Sequence, residues 1–218
     1  MFRDKGISQI VKYFSLESYE DALSNVSLSD EGASLFQWLG DDYLIHYMLD
    51  FESRGSLLDL EQFKNPFSYR MKINERNETK LRTVDLVETF NYLIGLAVSR
   101  QSTVQYFRTE KDPNESYEGA VCLIQDLDGD FAFKQVEGSL PDGRRALVIW
   151  RTVTEDVVTS NAALDAYFAK YRINPRDREF DVIYVNGDNT LGNLRTDEEM
   201  WKVNLTETEF KKRMFEEE

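Results

Sequence analysis

Two apolar periodicities run along the chain and take turns. Gln9 to Leu16 (QIVKYFSL) is dense in β-branched and aromatic residues and predicts a strand. Ser18 can cap a short helix over Tyr19 to Val26, with Glu20 and Asp21 well placed against its N-terminal dipole. In DDYLIHYMLDFESRG, Leu44, Tyr47, Met48 and Phe51 recur at helical spacing, and the run ends near Gly55. Phe67 to Ile73 predicts a second strand. The clearest helix comes next, with Thr83 as its expected cap and Asp85 and Glu88 at its start. Its Leu86, Phe90, Leu93 and Ala97 make one apolar stripe, widened by Val87 and Ile94.

The second half alternates strands with helices. Phe131 to Val136 predicts a strand, and Pro141-Asp142-Gly143 is a turn leading into Ala146 to Trp150. That run, ALVIW, is apolar throughout, as expected of a strand covered on both faces. Ser160 or Asn161 is the expected cap of a helix whose Leu164, Tyr167, Phe168 and Tyr171 share a face. Phe180 to Val185 (FDVIYV) predicts another buried strand, and a final helix covers Thr206 to Phe215. Strand, helix, strand at this spacing predicts a right-handed βαβ unit. The expected class is mixed α/β: a mixed sheet with flanking helices and the βαβ unit in the C-terminal half. The segment 108–118 (RTEKDPNESYE) is polar and contains Pro113, so it predicts a surface loop. A single domain over 1–218 is expected, divisible into lobes 1–107 and 119–218 joined by that loop.

Composition narrows the setting. With 41% hydrophobic residues in 218, the chain can bury a sizeable core. No apolar run approaches the roughly 18 residues that cross a bilayer, and MFRDKGISQIVKYF lacks the apolar stretch of a signal peptide. Cys122 is the single cysteine and cannot close an internal disulfide. A cytoplasmic protein without membrane contact is expected. Forty acidic against 26 basic residues give a net charge of −14. Proteins that grip nucleic acid through its phosphates usually present a basic face, so DNA is expected only indirectly, through protein contacts. Acidity that serves solubility alone is the alternative.

Several kinds of site are excluded by residue identity. Amino-methylating DNA enzymes use an (Asp/Asn/Ser)-Pro-Pro-aromatic loop to grip the flipped base; Pro66, Pro113, Pro141 and Pro175 include no adjacent pair. No two glycines are separated by one residue, which removes the cofactor loop of those enzymes and the G-x-G-x-x-G fingerprint, and no P-loop occurs. One histidine, His46, and one cysteine cannot build a Cys/His zinc site. No G-x-S-x-G elbow would let His46 serve a hydrolase, and a structural role for it is favoured. Catalytic, cofactor-binding and metal residues are therefore expected to be none.

Two acidic patterns compete with that expectation. Asp126, Asp128, Asp130 and Glu137 match positions 1, 3, 5 and 12 of a calcium loop, but Phe131 replaces the required glycine. An acidic hairpin turn, with Gly129 in the awkward backbone conformation, is favoured. Pro141-Asp142 could open a metal-dependent nuclease motif, yet ALVIWR offers no acidic-x-Lys triplet. One constellation survives. If ALVIW and FDVIYV are parallel neighbours, Arg151 and the turn Asn186-Gly187-Asp188-Asn189 emerge at the same carboxyl edge, where open α/β sheets bind ligands. A docking or ligand edge at Arg151, Asn186, Asp188 and Asn189 is one reading. The favoured one is a tight turn at Gly187, with Asp188 and Asn189 satisfying backbone groups.

These blocks resemble a known family. GISQIVKYFSLESYEDALSN (6–25), YMLDFESRGSLLDLEQFKNPFSYRMKI (47–73), VDLVETFNYLIGL (84–96), PDGRRALVIWR (141–151), FDVIYVNGDNTLGNL (180–194) and WKVNLTETEFKKRMFE (201–216) are similar, in order, to the C-terminal region of type III restriction–modification Mod subunits. The stretch 99–139 is the weak part of the match. The resemblance implies a site-specific, adenine-specific DNA methyltransferase system that uses S-adenosylmethionine. In that family the catalytic, cofactor and target-recognition parts lie upstream, so no catalytic or cofactor residue carries over to this chain. Met1 falls where the family's chains are in mid-course, which suggests an excised region or a separately encoded remnant. The resemblance implies a non-catalytic assembly and interaction domain, with S-adenosylmethionine bound by the parent enzyme and not here. The implied partners are the methyltransferase catalytic domain or a second Mod protomer, and the restriction (Res) subunit. Weak direct DNA contact through Arg144, Arg145 and Arg151 is a lesser alternative. A small metal-dependent nuclease or phosphoesterase, using Asp126 to Asp130 or Asp188, is the alternative from another class.

Overall fold

A computed structural model of the protein describes Tyr13 and residues 60–75, 78–113, 119–191 and 202–215. The elements predicted over 9–16, 19–26 and 44–55, and His46, lie outside the described residues. A 3-10 turn (Leu60–Lys64) leads to a two-stranded antiparallel sheet of β1 (Arg70–Glu75) and β2 (Glu78–Thr83). The strand predicted from Phe67 thus starts three residues late. Helix α1 (Leu86–Leu93) is capped by Asp85, whose carboxylate accepts from Glu88 N at 3.1 Å. Thr83, the expected cap, is instead paired with Arg70 at the end of β2. The apolar stripe continues to Ala97 in the sequence, but the helix does not. Gly95 takes a positive φ of 65° and turns the chain, so Ala97 opens β3 (Ala97–Gln101).

β4 (Gln105–Lys111), β5 (Val121–Gln125), β6 (Phe131–Ser139) and β7 (Arg145–Arg151) follow. Helix α2 (Val157–Tyr171) crosses to β8 (Val182–Val185), and β9 (Val203–Leu205) runs into α3 (Thr206–Phe215). Among the described residues the larger sheet has seven strands, six in the order β5-β4-β6-β7-β8-β9 and β3 paired with β6 off that path. The long β6 is flanked on one side by β7 and on the other by β3 and β4 in succession. β7, β8 and β9 are mutually parallel and the other pairings are antiparallel, so the sheet is mixed and β7-α2-β8 is the predicted βαβ unit.

β7 is central, and its alternate residues feed two cores. Val148 and Trp150 meet α1 and α3 in a cluster with Phe63, Phe90, Tyr184 and Phe210. Leu147 and Ile149 meet α2 in a cluster with Phe133, Tyr167, Phe168, Ile183 and Val185. Phe90 stands edge-on to both Trp150 and Tyr184, at 5.7 Å and 5.4 Å. The unbroken apolar run is explained by this double coverage. Among the described residues no helix is long and apolar enough to cross a membrane.

The surface loop predicted over 108–118 starts later than expected. Arg108 to Lys111 are not loop but the second half of β4, paired with Val121 to Ile124. β3 and β4, from the first half of the chain, join the same sheet as β6 and β7. Their polar sequence reflects a wet sheet face near an edge, where alternate side chains meet water while the backbone still pairs.

Candidate functional site

Because β7 and β8 are parallel and in register from Ala146↔Val182 to Ile149↔Val185, Arg151 and Asn186 leave the sheet side by side. Both are fully buried. Asn186 Oδ1 accepts from Arg151 N at 2.7 Å, while its Nδ2 donates to Arg151 O at 2.8 Å and to Phe63 O at 2.6 Å. The side-chain amide thus extends the strand pairing by one residue and ties in the 3-10 turn. Every guanidinium nitrogen of Arg151 is engaged. Nε donates to Asn186 O (3.1 Å), Nη1 to Ser160 O (2.7 Å), and Nη2 to Asn161 Oδ1 (3.1 Å) and Asp188 O (2.9 Å). The two residues expected to cap α2 serve instead as acceptors for this arginine, and Asp156 caps the helix by accepting from Thr159 N.

The remaining predicted residues complete the same knot. Gly187 (φ 76°) donates its N–H to Glu207 Oε1 at 2.7 Å, on the first turn of α3. Asn189 Nδ2 donates to Gly187 O, and its Oδ1 accepts from Leu191 N. Asp188 contributes its carbonyl, and its side chain stands in solvent. Burial lowers the Arg151 pKa to about 10, against the opposing pull of Glu207, Asp165 and Asp188. Burial raises that of Glu207, opposed by backbone donors and by Arg151. The constellation is a clamp joining two strands and two helices, with a buried cation each of whose nitrogens is already bonded within the fold. Its chemistry is that of a fold-holding group; the turn at Gly187 and the backbone bonds of Asn189 follow the favoured reading, whereas the Asp188 carboxylate satisfies no backbone group among the described residues.

The acidic patterns resolve differently. Asp126 Oδ1 accepts from Asp128 N, and its Oδ2 lies 3.4 Å from Arg108 Nε. The segment is not a hairpin turn, because β5 and β6 do not pair; it carries the chain across β4. Gly129 is required there by proximity, not by its dihedral angle, since a Cβ would fall 2.2 Å from the Phe107 carbonyl carbon. In the Pro141-Asp142-Gly143 turn, Asp142 accepts from both N and Nε of Arg144. Arg145 donates to the Arg178 carbonyl, so both arginines are occupied within the fold.

A cleft of about 330 Å³ opens on the α2 side of the sheet. One wall is aromatic and apolar, from Tyr167 and Tyr171 of α2 with Ile173 and Phe180 beyond it. The other is a polar row on β3, β4 and β6: Arg100, Ser102, Gln105, Gln135 and Glu137, with Glu179 completing the lining. Tyr171 OH donates to Gln105 Oε1 at 2.7 Å, and Gln135 Nε2 donates to Glu137 Oε1 at 2.8 Å. Sequence reasoning missed this cleft, since its lining comes from separate segments and only the Gln135-x-Glu137 spacing hints that two of them share a face. No protein-family model, curated protein or solved structure matches the chain.

Proposed function

We propose that the chain is the non-catalytic C-terminal assembly domain of a type III Mod-like, adenine-specific DNA methyltransferase. The observation that carries this reading is the Arg151 clamp. It joins 141–151 and 180–194, two of the blocks that resemble the family, as adjacent parallel strands, and α3 of the 201–216 block closes it through Glu207. The polar groups most suited to ligand chemistry are thereby consumed in building a rigid support. S-adenosylmethionine belongs to the parent enzyme's catalytic part, and DNA is met only through that part. The partners are the catalytic domain or a second Mod protomer, and then the Res subunit.

Co-expression with the catalytic part of a type III Mod subunit tests the reading. A stoichiometric complex on size exclusion is expected, together with no calorimetric heat when the chain alone is titrated with S-adenosylmethionine. Methyl transfer to adenine by the chain alone, or no association with the catalytic part, would sink it.

A further inference from the structure

We propose that the cleft between α2 and β3-β4-β6 receives the guanidinium group of an arginine on a basic segment of a partner protein. This names a partner chemistry for the assembly role and rests on that reading.

The hydrogen-bonding capacity left in the cleft includes charged acceptors. One proton of the Gln135 amide goes to Glu137, and the Tyr171 hydroxyl proton to Gln105. Left over among the described residues are the acceptors Glu137 Oε2, the Glu179 carboxylate and Gln135 Oε1, the first two carrying charge; the uncommitted neutral donors are the Gln105 amide, one Gln135 amide proton and the Ser102 and Tyr167 hydroxyls. Tyr167 is 1% exposed and lines the cleft, and no described residue bonds its hydroxyl. The two carboxylates favour a charged group with several donors and no acceptor, which among side chains is a guanidinium or an ammonium. The aromatic wall narrows the choice further, because a planar, weakly hydrated cation stacks on Tyr and Phe rings better than a compact ammonium.

Charge points the same way. Two carboxylates outnumber one arginine in the cleft, and the chain as a whole carries −14, so a cationic partner is drawn in and an anion repelled. The cleft already holds one guanidinium at its rim. Arg100 Nη1 lies 3.7 Å from Glu137 Oε1, with its side chain 80% exposed. That contact is too long for a hydrogen bond, and an incoming arginine can displace it.

The test is an NMR titration of the 15N-labelled 218-residue chain with ethylguanidinium chloride and, in parallel, n-propylammonium chloride. Saturable shifts are expected at the amides of Ser102, Gln135, Tyr171 and Phe180, about fivefold tighter for the guanidinium. E137Q/E179Q should weaken binding about tenfold, and R100A should tighten it by removing the resident competitor. Should the double variant lower the melting temperature, E179Q alone carries the test, since its exposed carboxylate meets no described partner. Equal response to the two cations, shifts elsewhere, or binding indifferent to these substitutions overturns the proposal. In the association assay with the catalytic part, full association by E137Q/E179Q also overturns it and leaves the assembly reading standing. Failure of the unaltered chain to associate sinks that reading instead, whatever the titration shows.

Discussion

Arg151 and Asp188 stand close together and contribute in opposite ways. Arg151 acts through its side chain, which brings carbonyls from α2 and the 186–188 turn onto one buried cation. Asp188 acts through its backbone oxygen. Arg151→Ala would strip donors from those carbonyls and leave Glu207 without its counter-charge, and such losses cost about 3–5 kcal/mol in buried networks. At this chain length that lowers Tm by on the order of 10 °C. Asp188→Ala retains the carbonyl and removes only an exposed carboxylate, so its effect should stay within about 0.5 kcal/mol. Thermal denaturation of the two variants decides the matter. Equal destabilisation by both would show that the Asp188 carboxylate, not its carbonyl, holds the clamp.

At the scale of elements, legibility follows burial. The βαβ unit could be read from the sequence because β7 and β8 are covered on both faces, so every residue votes apolar. The last helix was legible through its boundary at Thr206. β3, β4 and β5 were not, because much of each faces water and tertiary pairing, not local pattern, makes them strands. The start of α2 was misplaced because Val157 and Val158 are exposed valines that imitate a loop-to-strand entry, while the cap is the inconspicuous Asp156. The carboxyl edge was legible as a place, whereas its occupation by Arg151's own partners required three dimensions. Gly129 shows the same limit, since nothing local announces that the chain crosses β4 there. Gly129→Ala would drive a Cβ into the Phe107 backbone, displace the crossing, and cost more than about 2 kcal/mol. Gly143→Ala is the control. It has open space and only a positive φ of 88° to oppose it, worth about 1–2 kcal/mol. If urea titration gives Gly129→Ala the smaller loss, the crossing is not closely packed.

For the whole molecule, what matters is that the described residues of the two halves share their cores. Phe63, Tyr69, Leu86, Val87, Phe90 and Ile94 come from before the 114–118 connection and are buried in the cluster built on Val148, Trp150, Tyr184 and Phe210 from after it. β6 depends on β3 and β4 along one edge and on β7 along the other. Each of those apolar side chains is worth about 1.5–3 kcal/mol in its buried place, and separation would also strand the ladder groups of β6 without partners. A protease site inserted between 113 and 119 should therefore be cleavable without releasing the halves. The nicked chain should co-elute as one species on size exclusion in native buffer and unfold in a single urea transition reported alike by tryptophan fluorescence and circular dichroism. Fragments that separate in native buffer would support the two-lobe description. A second, earlier transition confined to the N-terminal fragment would show that α1, β3 and β4 fold on support from outside the shared sheet.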